Sequence, residues 1–156
     1  MEERDIPFFL VQKIRMKYVV PIIRAMEETF GKDPVHTVLE QRVVSGIEQA
    51  RNAVEYQGRE PDFVKAAKGI QFFAAGDALK YDILASDRDR LDFDVKNCQY
   101  AKVMQELDAT DLGYLLICQG DYAAAYQSGM ELTRTQTRMQ GADFCDFRYH
   151  RRHEKN

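Results

Sequence analysis

The hydrophobic period of this chain switches just after Gly76, and that switch limits the fold more than any other feature. Up to Gly76 the apolar residues recur at helical spacing. From Leu79 they alternate. Leu79, Tyr81, Ile83 and Ala85 interleave with Lys80, Asp82, Leu84 and Ser86, and Leu91, Phe93 and Val95 with Arg90, Asp92, Asp94 and Lys96. Alternation marks a strand with one buried face. The polar run Ser86-Asp87-Arg88-Asp89 between them reads as a hairpin turn. A Thr-rich alternating run from Glu131 to Met139, a turn at Gly141 and a strand from Phe144 to His150 predict a second hairpin. The expected class is α+β: one four-stranded antiparallel sheet from two hairpins, about five helices over one face, and a helical N-terminal half.

The helices have local signals. Asp5 is the expected cap of the first, with Pro7 in its first turn. Ile6, Leu10, Ile14, Tyr18, Ile22, Met26 and Phe30 then fall every fourth residue, a stripe that drifts around a helix of 3.6 residues per turn. Pro21 is expected to kink or divide it, and Gly31 to end it. Such a stripe usually faces its own core; its other use is a homodimer contact. Lys13, Arg15, Lys17 and Arg24 read as a solvated face. Asp33-Pro34 opens a second helix, running to about Tyr56, with Val35, Val38, Leu39, Arg42, Val43, Gly46, Ile47, Ala50 and Val54 on its buried side. A third starts near Pro61 and closes at Gly76. Asn97 is expected to cap a short helix from Cys98, and Asp111 to open the last, through Cys118 and Tyr122 to Gly129. No repeat or linker interrupts the chain. It reads as a single domain, 1–156, with a helical half at 1–76, a sheet-containing half at 77–150 and a frayed polar tail at 151–156.

Composition narrows the function classes. There are 22 Lys and Arg against 25 Asp and Glu, so the net charge is −3. Nucleic acid and anionic membranes call for a cationic surface, so neither is expected as a partner. The N-terminus Met-Glu-Glu-Arg-Asp carries no secretory pattern, and no apolar run approaches a membrane span. Three cysteines are an odd count, which argues against a disulfide framework and for free thiols in a reducing cytoplasm. Gly-rich phosphate loops, HExxH, CxxC and GxSxG are absent from the sequence, and only His36, His150 and His153 could assist a nucleophile.

The thiols therefore carry the chemistry. Cys98 follows a strand near a helix start, where a helix N-terminus lowers a thiol pKa. Cys118 lies on a helix with Asp121 and Tyr122 one turn later. Cys145 shares a strand face with Phe147 and Tyr149. Each could instead pack as a small hydrophobe. Spacings of 20 and 27 residues match no zinc pattern. On the last strand Asp146 and Arg148 share the opposite face. A two-residue loop at Gly141 would pair Asp146 with Thr137, and a three-residue loop with Gln136, between Arg134 and Arg138. This face is either a surface salt bridge or an Arg holding a carboxylate ligand.

Three segments carry a resemblance. They are Asp94-Val95-Lys96-Asn97-Cys98-Gln99-Tyr100-Ala101, Leu116-Ile117-Cys118-Gln119-Gly120-Asp121, and Arg134 through Tyr149 with its Cys145-Asp146-Phe147-Arg148-Tyr149 ending. Together they resemble the L-2-amino-thiazoline-4-carboxylic acid hydrolase family, with its Cys-x-Tyr, Cys-x-x-Asp and closing Cys-Asp-Phe-Arg-aromatic elements. Family members typically read Cys-Pro-Tyr where this chain reads Cys98-Gln99-Tyr100.

The resemblance implies a hydrolase that opens a cyclic amidine-type substrate at a C–N bond, releasing N-carbamoyl-L-cysteine. It implies Cys98, Cys118, Asp121 and Cys145 as catalytic residues. Cys98 is the first choice of nucleophile and Asp121 the candidate base or proton donor. Arg148 first and Arg134 second would hold the substrate carboxylate, with Asp146 orienting Arg148 and Tyr100 in the binding set. No cofactor is expected; a Cys/Asp-bound metal activating water is the lesser variant. The competing class is a binding or sensing domain that uses the same cysteine-lined pocket without turnover.

Overall fold

Pro7 immediately precedes α1 (Phe8–Phe30), where its missing N–H removes no helical bond. The computed structural model describes residues 6–153, so the expected Asp5 cap lies outside the described residues. α1 runs unbroken through Pro21 rather than dividing there. Pro21 and Lys17 are both exposed, so the Lys17 carbonyl that loses its helical partner sits on the solvent side. Met16, Val20 and Ile23 form the buried side of α1. The every-fourth stripe does not. Ile14 is 66% and Tyr18 73% exposed, and Leu10, Ile22, Met26 and Phe30 are exposed too. A four-residue step overshoots a turn by about 40°, so such a stripe must leave any fixed face, whereas steps of four and three return to it.

α2 (Lys32–Asn52) begins directly after Gly31, whose φ of 90° only glycine adopts readily. It starts slightly before the expected Asp33-Pro34 and stops short of Tyr56, with a 3-10 turn at Val54–Tyr56. Val35 and Ala50 are buried, but Val38 and Val54 are exposed, against expectation. α3 (Phe63–Ala74) is capped by the Asp62 carboxylate, which accepts from the Lys65 N–H at 2.8 Å.

The sheet contains β1 (Leu79–Ser86), β2 (Arg90–Cys98), β3 (Met130–Thr133) and β4 (Cys145–Arg151), antiparallel throughout in the order β1-β2-β4-β3. The first hairpin turns where expected. Asp87 accepts from the backbone N–H groups of Asp89 and Arg90. β2 continues through Cys98, so Cys98 and not Asn97 stands before α4 (Gln99–Glu106). Arg151 ends β4 and pairs with Glu60 at 2.7 Å, so it is not part of a frayed tail.

The second hairpin differs from expectation. β3 stops at Thr133, which pairs with Arg148. The chain then leaves the sheet, forms a 3-10 turn at Arg138–Gln140 and reverses at Gly141, in the left-handed conformation at φ 92°. Neither expected register occurs; on the sheet Asp146 lies opposite Asp94 of β2. The reason is local. The Asp146 carboxylate takes the N–H groups of Thr135 and Gln136, one of which a longer strand would have given to β4.

The last helical rod has three parts. α5 (Thr110–Gly113) leads into a π-helical turn at Tyr114–Cys118, and α6 (Gly120–Gln127) follows. One sheet face carries Leu91, Phe93, Val95, Cys145, Met130 and Leu132, all buried. Phe93 stacks on Phe147 with ring centroids 4.7 Å apart. Two cores result. One gathers Phe63 and Ile70 of α3 with this face and Ala125; the other gathers α1, α2, α4 and α5 around Met104 and Leu112. Among the described residues, no helix is long and apolar enough to cross a membrane.

Candidate functional site

A cavity of about 540 Å³ lies between the two cores. Of the eight side chains singled out from the sequence, it is lined by six: Cys98, Tyr100, Cys118, Asp121, Arg134 and Cys145. They come from β2, α4, the π-helical turn, α6, the segment after β3, and β4. Asp146 and Arg148 are not among the lining residues.

Arg134 and Asp121 are the charged pair of the cavity. Arg134 keeps 2% of its side-chain surface and donates from Nη1 to Asp121 Oδ2 at 2.7 Å. Its Nη2 donates to the Cys118 carbonyl at 2.9 Å. That carbonyl is available because of the π-helical turn. The Gln119 N–H reaches back five residues to Tyr114, and the Tyr122 N–H bonds the Gln119 carbonyl in place of Cys118. Phe147, Tyr122 and Tyr114 stand 4.8, 5.3 and 5.8 Å from the guanidinium, which favours a retained positive charge. Arg134 Nε is buried and has no partner among the described residues.

Burial raises the Asp121 pKa above the ordinary carboxylate range, and Arg134 opposes that rise only in part. Its side chain still opens onto the cavity, with 38% of its surface accessible. A carboxylate raised by burial and open to the cavity suits general acid–base chemistry there.

The thiols are not activated. Burial pushes Cys98 up to about 11, against weaker opposition from the N–H groups of Ala101 and Tyr100 at the start of α4. The expected helix-start activation is present in kind but loses to desolvation. Cys118 is raised by burial and then by Asp121. Cys145 is raised by burial despite a 3.1 Å bond from the Arg138 N–H to its Sγ. All three are free thiols, as expected.

The remaining side chains hold the frame. The Tyr100 hydroxyl donates to the Phe73 carbonyl at 2.9 Å, tying α4 to the end of α3. Asp146 does not orient Arg148. Burial opposes its ionisation, but bonds from the Thr135 hydroxyl at 2.6 Å and the Gln136 N–H at 2.8 Å outweigh this and hold its pKa low. It pins the segment immediately after Arg134. Arg148, the first choice for the substrate carboxylate, donates instead to Asp94 at 2.9 Å and to the Phe93 carbonyl, on the opposite sheet face. The cavity cation is Arg134.

Sequence reasoning missed the aromatic enclosure of Arg134. The spacing of Tyr114, Cys118 and Tyr122 was the available signal, because residues four apart share a helix face. It also missed an ion network between α1, α2 and α5. There Arg24, expected in a solvated face, bonds Glu27 and Asp111 at 2.7 Å, and His36 Nε2 lies 2.7 Å from Glu27. Among the described residues, Glu27, His36 and Asp111 are the only three such groups whose ligand atoms gather within 4.8 Å; the cavity thiols and Asp121 do not.

The profile of the L-2-amino-thiazoline-4-carboxylic acid hydrolase family matches residues 12–149, most of the chain. No curated protein matches it. With its three sequence elements converging on one cavity, the chain belongs to the L-2-amino-thiazoline-4-carboxylic acid hydrolase family.

Proposed function

We propose that this protein hydrolyses a cyclic amidine-type substrate, with 2-amino-thiazoline-4-carboxylate as the reference compound. The observation that carries the reading is the Asp121–Arg134 pair, 2.7 Å apart and facing a cavity lined by the family's cysteines. Neutral thiols are poor nucleophiles, so the geometry favours attack by water over attack by Cys98. Asp121 takes a proton from water as the oxygen bonds C2 of the ring. Asp121 passes that proton to N3 as the C2=N3 double bond becomes single, and the tetrahedral centre then expels the ring sulfur while the proton of its hydroxyl passes through Asp121 to that sulfur, leaving a carbonyl at C2. An N-carbamoyl product keeps its C2–N3 bond, so the bond that opens the ring is C–S. This corrects the C–N cleavage expected from the resemblance.

Arg134 has five N–H donors, and its bonds to Asp121 and Cys118 leave capacity for a substrate carboxylate. A bound carboxylate adds negative charge beside Asp121 and raises its pKa further. Three free thiols support a reducing compartment such as the cytoplasm.

The test is direct. The protein is incubated with 2-amino-thiazoline-4-carboxylate, and N-carbamoyl-cysteine is followed by mass spectrometry. Turnover is expected, with a loss of about 100-fold or more in Asp121→Asn. A second reading, binding without turnover, is favoured by the neutral thiols. Saturable thermal stabilisation by the same compound with no product would select it.

A further inference from the structure

The cavity is too large for the reference compound. A 2-amino-thiazoline carboxylate has about nine non-hydrogen atoms. Even at the roughly 30 Å³ that a water molecule occupies in the liquid, these fill about 270 Å³. The cavity holds about 540 Å³. Among the described residues, its only charged lining side chains are Asp121 and Arg134, and most of the wall is aliphatic or aromatic, including Phe8, Ile70, Phe73 and Leu91. Water gains little in such a space, because it needs two or more polar partners.

Two glycines point the same way. Gly69, inside α3, and Gly120, at the start of α6, both line the cavity and are exposed. Glycine within a helix costs about 1 kcal/mol relative to alanine. Neither has a positive φ, and a Cβ at either would meet nothing within 4 Å. Backbone conformation and packing therefore do not require them. They keep space open, where α3 and α6 pack on the sheet but make no extended contact with one another. The buried Arg134, on the wall of the same cavity, keeps an Nε with no partner among the described residues.

We propose that the natural substrate is amphipathic: a small carboxylate-bearing head at Arg134 and Asp121, joined to an apolar alkyl or aryl body that fills the cavity toward Gly69 and Gly120. This rests on the hydrolase reading for the chemistry at the head, but not for the size and polarity of the body.

The test uses straight-chain carboxylates from butanoate to dodecanoate as probes, with affinities measured by calorimetry. Affinity should rise about threefold to fourfold per added methylene until the cavity is full, then level off. Gly69→Phe should make it level off at shorter chains, and Gly120→Leu provides the same test if the first variant does not fold. Decylamine should bind more weakly than decanoate, because Arg134 has N–H donors to spare for a carboxylate whereas Asp121 is already engaged by Arg134. Affinity independent of chain length overturns the proposal. So does a chain-length gain that survives both substitutions, because it then arises at another surface, such as the exposed ridge of α1. Chain-length dependence without turnover of the thiazoline sinks only the hydrolase reading; turnover without chain-length dependence sinks only this one.

Discussion

Arg134 reaches the carbonyl of Cys118 at 2.9 Å because a π-helical turn withholds that carbonyl's usual partner. A local irregularity in one helix thereby fixes a buried cation, and the cation fixes Asp121. Removing the guanidinium leaves Asp121 enclosed without compensation. Arg134→Met should cost about 3 kcal/mol at pH 7, the low end for a broken buried pair because Asp121 keeps cavity exposure. The substitution raises the folded-state pKa of Asp121 further. The deficit should therefore be largest where Asp121 is ionised and shrink as pH falls through its raised folded pKa. Urea unfolding at several pH values measures both.

The thiols should be slow to alkylate in the folded protein. With Cys98 pushed up to about 11 and the other two raised as well, iodoacetamide at pH 7.5 should label all three only on unfolding. Mass spectrometry of tryptic peptides reads each site. One thiol labelled below pH 8 at the rate of a free thiol would restore the thiolate mechanism. The same shifts carry a stability effect. The unfolded thiols ionise from about pH 8.5 while the folded ones stay neutral, so stability is full below that pH and falls as pH rises toward 11.

Asp146 holds the segment that follows Arg134, so Asp146→Ala should affect both stability and ligand binding. It loses three bonds to a charged acceptor, from the Thr135 hydroxyl and the N–H groups of Thr135 and Gln136. The expected cost is about 3 kcal/mol. Its folded pKa is depressed, so its contribution is present above about pH 4 and lost as pH falls through the folded value. Wild-type and variant stabilities should converge as pH falls through that depressed value. Affinity for a carboxylate probe should fall in the variant even at a temperature where it remains folded.

The network at Arg24 should act on stability alone. Arg24 bonds Glu27, Asp111 and the Asp108 carbonyl, joining α1 to the start of α5 away from the cavity. Arg24→Met should cost about 1–2 kcal/mol and leave turnover per folded molecule unchanged. Asp111 and Glu27 are held below their ordinary range by Arg24. The difference from wild type should therefore narrow as pH falls below about 4. Thermal melts between pH 3 and 7 check this.

The sequence by itself determined the architecture and placed three thiols on three different elements. Periodicity is a local property: a strand with one buried face must alternate, and a cap such as Asp62 or a turn such as Asp87 acts within three residues of itself. Only the tertiary structure decided how those parts work. It turned the α1 stripe outward, because a four-residue repeat cannot stay on one side of a helix packed at Met16, Val20 and Ile23. It selected Arg134 over Arg148, because sheet register sends alternate residues of β4 to opposite faces and Asp94 captures the second arginine. It kept Cys98 neutral at a helix start, because desolvation depends on everything packed around a group, and no spacing along the chain records that.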